Sequence, residues 1–144
     1  MPCFFLLTNM EIPDILQILS NAKYERGDQM EDRFTQQLKK GVLEMLVLKL
    51  ICNQPTYGYE LLSRLKEASH GRFALKEGTL YPILYRLEDD GMIAAKWSQG
   101  EGRTAPKKIY EATKAGKEEN IRRQIVWREF EETVNAFLTG GKEI

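Results

Sequence analysis

KEGTLYPILYRLEDDG, residues 76–91, is the stretch from which the fold can be read. Leu80, Ile83, Leu84 and Leu87 fall at i, i+3, i+4 and i+7, so they line one face of a helix that starts around Glu77 to Thr79 and turns that face to a core. Gly91 suits the position just past the helix end, where a left-handed residue is favoured. Pro82 is acceptable only near the helix N-terminus, where its missing N–H is not required. The other face carries Gly78, Thr79, Tyr81, Pro82, Tyr85 and Arg86. That is an unusual surface to give to water, because no acidic side chain lies between Gly78 and Leu87 and Glu88, Asp89 and Asp90 are left to the far end.

Two helices precede this one. Residues 36–53 form the first, and nine of the eleven residues from Val42 to Cys52 are apolar. A helix apolar nearly all round is buried on more than one side, so a second covering surface is expected from another chain; the alternative is a central helix of a monomer core. Asn53 to Thr56 supply turn chemistry. Tyr57-Gly58-Tyr59-Glu60 then opens a second helix, capped near Thr56, with Leu61, Leu62, Leu65 and Ala68 inward and Arg64, Lys66 and Glu67 outward. Ser69-His70-Gly71 stops it. His70, with no Cys, Asp or second His beside it, reads as a solvated turn residue.

Downstream, Met92–Trp97 and Lys107–Glu111 read as two strands of a hairpin whose long tip, residues 98–106, holds Gly100, Gly102 and Pro106. Thr113 caps a last helix running to about Leu138, where Gly140 and Gly141 end it. On that helix Ile121 and Ile125 precede Trp127, Phe130, Val134 and Phe137, whose 3-4-3 spacing makes a seam suited to a partner helix. The expected fold is mainly α with a small β-hairpin: a winged helix-turn-helix with a C-terminal dimerisation helix. The expected division is an N-terminal extension over 1–29, a DNA-binding winged helix-turn-helix over 30–112, and a dimerisation helix over 113–139.

Charge supports this order. The chain balances 21 Lys and Arg against 21 Asp and Glu, which argues against holding nucleic acid by bulk charge alone. The balance is uneven along the chain: −2 over residues 1–30, +3 over 31–110 and −1 over 111–144. The whole central excess sits in 94–110, where Lys96, Arg103, Lys107 and Lys108 face Glu101 alone. A winged helix-turn-helix sets the N-terminal half of its third helix in the DNA major groove, with the hairpin tip reaching phosphate or minor groove.

The first 29 residues read differently. Ile12, Ile15, Leu16 and Leu19 have helical spacing, so 12–20 is expected to form a short amphipathic helix followed by a polar link. Glu25-Arg26-Gly27 permits a purine-rich ribosome-binding run ahead of Met30, so Met30 is a candidate natural start and 1–29 candidate upstream sequence. The opening Met-Pro-Cys-Phe-Phe-Leu-Leu lacks the basic n-region and the apolar length of a signal peptide. No run approaches the roughly 18 apolar residues of a membrane span. Cys3 and Cys52 fit no metal or redox spacing, and their scarcity suits a reducing, cytoplasmic setting. Without a nucleophile–base pair, a metal cluster or a phosphate-cradling glycine loop, neither an enzyme nor a cofactor is expected.

The runs Tyr-Gly-Tyr-Glu (57–60), Gly-Arg-Phe (71–73), Lys-Glu-Gly-Thr-Leu-Tyr-Pro (76–82), Arg-Leu-Glu (86–88) and Asp-Gly-Met-Ile (90–93) resemble the PadR family of transcriptional regulators, over about residues 36–138. The resemblance implies a dimeric winged-helix repressor of operator DNA that answers to phenolic acids, drugs or other small effectors. The single C-terminal helix is similar to the branch that includes multidrug-sensing regulators. In that branch a tryptophan of the last helix can lie at the dimer centre and stack on flat ligands; Trp127 matches it, with Met45 and Lys49 as expected neighbours. One departure is the hairpin's return, Arg-Thr-Ala-Pro-Lys-Lys-Ile-Tyr (103–110), where the family commonly has Gly-Arg-Arg-Arg-Lys-Tyr-Tyr.

The residues expected to face DNA are therefore Tyr57, Lys76, Gly78, Thr79, Tyr81, Pro82, Tyr85, Arg86, Arg103, Lys107 and Lys108. Those expected at a ligand site or dimer interface are Met45, Lys49, Trp127, Phe130, Val134 and Phe137. The competing reading is a winged-helix protein–protein module without DNA binding, which would tolerate acidic residues on the outer face of the third helix.

Overall fold

The computed structural model describes residues 13, 14, 16–18, 31–100 and 102–140. Residues 37–124 form one compact unit, and residues 1–36 with 125–144 form a second. Of the amphipathic helix expected over 12–20, positions 13, 14 and 16–18 are helical and exposed, and the rest lies outside the described residues, as does the polar link that follows. Among the described residues no helix is long and apolar enough to cross a membrane.

Helix α1 spans Arg33–Asn53 and starts three residues before the expected position 36. Asp32 explains the earlier start. It accepts a hydrogen bond from the Thr35 N–H (2.9 Å) and another from the Thr35 hydroxyl (2.7 Å), and these bonds lower its pKa below the ordinary carboxylate value. Leu43, Val47, Leu48 and Ile51 of α1 enter the core, and Leu46, Leu50 and Cys52 pack against it partly buried. Much of the apolar width of 42–52 is thus used inside its own unit, as the monomer-core alternative expected.

After α1 the chain makes a two-residue strand, β1 (Thr56–Tyr57), that the sequence reading did not anticipate. The expected cap at Thr56 is corrected accordingly. Thr56 is buried in the sheet opposite Tyr110, and its hydroxyl donates to the Glu60 carboxylate (3.0 Å). Tyr57 is the residue that precedes helix α2 (Gly58–Ala68), in extended backbone and with no side-chain cap. Glu60 is also bound by Arg64 one turn on, and the two partners hold its pKa below the usual range, Arg64 contributing most. Leu61 and Leu65 face the core as expected, while Ala68 is exposed because the helix has reached its end. His70 turns the chain with φ 52° and is exposed.

Helix α3 spans Glu77–Asp89, and all four residues of its predicted stripe are buried. Its end is a two-bond stop: the Gly91 N–H donates to Glu88 O (3.0 Å) and the Met92 N–H to Leu87 O (2.9 Å), with Gly91 at φ 74°. Pro82 is the sixth residue of α3, near the helix N-terminus as expected but past its first turn, so the Gly78 carbonyl loses the N–H that would have reached it. Strands β2 (Ile93–Trp97) and β3 (Lys108–Ala112) form the hairpin, within one residue of the predicted limits. Because β1 joins the far side of β3, the sheet is three-stranded, antiparallel and ordered β1-β3-β2. Ile93 and Tyr110 connect it to the helical core.

Helix α4 spans Lys114–Leu138 and is capped by Thr113 as predicted, its hydroxyl accepting from the Gly116 N–H (3.0 Å). The same hydroxyl lies 2.6 Å from Gly91 O, and the Thr113 N–H donates to Met92 O (3.1 Å). Gly116 is buried against that turn so closely that a Cβ would collide with the Met92 carbonyl oxygen. The start of α4 is therefore fastened to the end of α3.

Candidate nucleic-acid interface

The surface between α3, the start of α2 and the hairpin is built from the 37–124 unit alone. Leu80, Ile83, Leu84 and Leu87 fix the roll of α3, which turns Tyr81 and Tyr85 toward the hairpin. Their rings lie 6.3 Å apart. With Tyr57, Gly58, Tyr59, Trp97, Lys107, Lys108 and Tyr110 they line an open groove of about 660 Å³. Among the described residues, the two lysines are its only charged lining residues.

Both ammonium groups are held over aromatic faces. Lys107 Nζ is 4.4 Å from the Tyr57 ring centroid. Lys108 Nζ is 5.4 Å from the Tyr110 ring centroid, 6.0 Å from that of Tyr85 and 3.5 Å from Glu88 Oε2. Such contacts orient a cation while leaving it able to meet an anion. Tyr110, beneath the groove, has its pKa pushed up to about 12, first by burial and then by Glu88, Tyr81 and Tyr85.

Five of the residues expected to face DNA thus meet in one groove: Tyr57, Tyr81, Tyr85, Lys107 and Lys108. Gly78, Thr79 and Pro82 are exposed on α3, Lys76 is exposed at its N-cap position with no side-chain cap, and Arg103 is exposed in the hairpin tip. Arg86 does not line the groove; its Nε lies 3.6 Å from Glu44 Oε1 on α1. Gly78 has φ outside the left-handed region and nothing within 4 Å of where a Cβ would stand. Nothing inside the chain therefore requires a glycine there, although glycine in a helix costs about 1 kcal/mol relative to alanine.

Four groove residues, Gly58, Tyr59, Trp97 and Tyr110, were not among those expected to face DNA, and of these Tyr59 and Trp97 are strongly exposed. Alternation along β2 carried the signal for Trp97: Ile93, Ala95 and Trp97 share one side of the strand, and burial falls along that series as the strand leaves the core. Gly58 was read only as part of a motif. Its reason is steric, since it is buried against the Tyr81 side chain.

The residues expected at a ligand or dimer site divide between the units. Met45 is half-buried and Lys49 exposed on α1. Trp127, Phe130, Val134 and Phe137 are exposed on α4, with the Trp127 and Phe130 rings 6.4 Å apart. Ile121, Ile125 and Leu138 extend the exposed apolar row.

Residues 47–122 match the Transcriptional regulator PadR-like family. An uncharacterized protein of Lysinibacillus sphaericus is 30% identical over 102 residues, covering 70% of this chain and 92% of the relative. A PadR-like transcription factor from Bacteroides fragilis superposes with a TM-score of 0.61 at 34% identity, over 74% of this chain and 99% of that one. The Bacillus subtilis PadR, solved in complex with operator DNA, gives a TM-score of 0.53 at 31% identity, over 58% of this chain and 47% of its own.

Proposed function

The chain belongs to the Transcriptional regulator PadR-like family, whose members are regulators of transcription rather than enzymes, and from that premise we propose that it is a dimeric cytoplasmic repressor of operator DNA. The observation that carries the proposal is the aromatic groove between α3 and the hairpin, whose charged lining residues, among the described residues, are Lys107 and Lys108. Phosphate contacts from such lysines fix register on a duplex, while side chains on the first turns of α3 reach base edges. Gly78, exposed and with no internal reason to lack a side chain, lets the backbone of α3 approach a duplex closely. The operator complex of the Bacillus subtilis relative supports the same assignment.

In this reading residues 30–112 form the DNA-reading part and 113–139 the pairing helix, with 1–29 an extension. Trp127, Phe130, Val134 and Phe137 form the apolar row through which two copies pair. A small aromatic or drug-like effector that stacks on Trp127 releases the DNA.

The experiment is to sequence duplexes enriched by the purified full chain from a randomised library. A dimeric reader yields a dyad whose half-sites lie about 10 bp or a multiple apart, with affinity falling steeply as salt rises. Failure to enrich any sequence would favour a protein–protein module instead.

A further inference from the structure

Glu44 belongs to none of the sites described above, yet its two oxygens face two other helices. Oε1 lies 3.6 Å from Arg86 Nε on α3, and Oε2 lies 3.5 Å from Arg123 Nη1 on α4. Arg123 is held in turn by Glu119, 2.8 Å from its Nε, and Glu119 also accepts two bonds from Arg122. The Glu44 and Arg123 side chains are largely shielded, whereas the Arg86 side chain is 59% exposed. An ion pair this open contributes little stability. What it fixes is direction.

A guanidinium is a rigid planar fork of five N–H donors that matches two oxygens of a phosphate. Nε is the Arg86 nitrogen nearest to Glu44, and among the described residues Arg86 makes no hydrogen bond and no second ion pair. Arg86 is the tenth residue of α3, which puts it about 14 Å along the axis from Glu77 at 1.5 Å per residue. That lies beyond the first turns that enter a major groove, so the part of a duplex within its reach is the backbone.

We infer that Glu44 is a positioning residue for DNA binding: it holds Arg86 by Nε so that both Nη groups are offered as a fork to one backbone phosphate, while Arg123 keeps Glu44 in place. The inference rests on the DNA-reading assignment of α3. Charge and position predict opposite signs for the loss of Glu44. Removing a negative charge beside a DNA-binding face tightens binding if charge alone matters. Releasing Arg86 from its orientation weakens binding.

The test compares dissociation constants over a salt series for full-length wild type, Glu44→Gln, Arg86→Ala and the double variant, on the duplex that wild type enriches from a random library. Arg86→Ala should weaken binding about tenfold and reduce the steepness of the log–log salt dependence by about 0.9. Glu44→Gln should weaken binding roughly threefold in the wild-type background and not at all in the Arg86→Ala background. Equal or tighter binding by Glu44→Gln, or the same weakening in both backgrounds, overturns the inference. Arg86→Lys carries the test should Glu44→Gln fail to fold. It keeps the charge and loses the fork, so wild-type affinity in that variant also overturns the inference. If wild type itself binds no duplex, the DNA-reading assignment falls, and Glu44 with it; if wild type binds and only the Glu44 outcomes fail, that assignment stands.

Discussion

The Tyr81 hydroxyl lies where a side chain at Gly58 would begin: a Cβ at residue 58 would stand 3.0 Å from it. The tyrosine that α3 turns toward the groove therefore rests on the first residue of α2, and the absence of a side chain there sets how deep it sits. Tyr81 is consequently half-buried while Tyr85, one turn on, is exposed.

Gly58→Ala should displace the Tyr81 ring by a few tenths of an ångström while leaving the core intact. The stability change should stay within about 1 kcal/mol, because a helix-favouring alanine offsets part of the crowding. DNA affinity should fall several-fold. A variant that binds as well as wild type would mean that the Tyr81 position does not matter to recognition.

Gly116→Ala should be far more damaging, since its Cβ meets the Met92 backbone carbonyl rather than the end of a flexible side chain. A loss of about 3 kcal/mol is expected in denaturant titrations. Thr113→Val, which removes the cap on the Gly116 N–H and the hydroxyl's bond to Gly91 O, should cost about 1–2 kcal/mol. Because the two residues fasten one junction, their effects should not add.

Acid should loosen the Glu119 cluster. Bonds from Arg122 and Arg123 hold the Glu119 pKa down to about 2, against 4.5 as its ordinary value. A carboxyl whose pKa is lowered by folding adds stability that is complete above its unfolded value and is lost as pH falls through the folded one. The unfolding free energy should therefore decline between pH 4.5 and about 2, and Glu119→Gln should flatten that part of the profile. An identical slope in the variant would assign the loss to other carboxylates.

Phe130→Asp tests pairing through α4. Phe130 is 61% exposed in a row that includes Trp127, Val134 and Phe137, and a charge there leaves the 37–124 core untouched. Wild type should sediment as a dimer and the variant as a monomer with unchanged helix content. Trp127→Ala should still pair but lose any fluorescence response to planar effectors; a retained response would point to Trp97 as the reporter.

The helices were legible because their signals are local. The four apolar residues of α3, the Gly91 stop and the Thr113 cap each depend on neighbours a few positions away, and each is found as read. Strand β1 was not legible, since two residues carry no periodicity and Thr56–Tyr57 is a strand only because β3, more than 50 positions later, offers it a partner. The missed cap at Thr56 follows from the same long-range pairing. In the groove, residue types singled out Tyr57, Tyr81, Tyr85, Lys107 and Lys108, which the structure brings together, but the turn of Arg86 toward Glu44 depends on how α1 crosses α3. No spacing within one segment encodes that crossing.

The order β1-β3-β2 places the returning strand of the hairpin in the middle of the sheet, held on both edges. The tip, residues 98–106, hangs from a base closed by Ser98 and Lys107, with Ser98 N–H donating to Lys107 O at 2.8 Å. Such a tip is modular. Exchanging it by grafting should therefore change its length and charge without disturbing the register of the strands below.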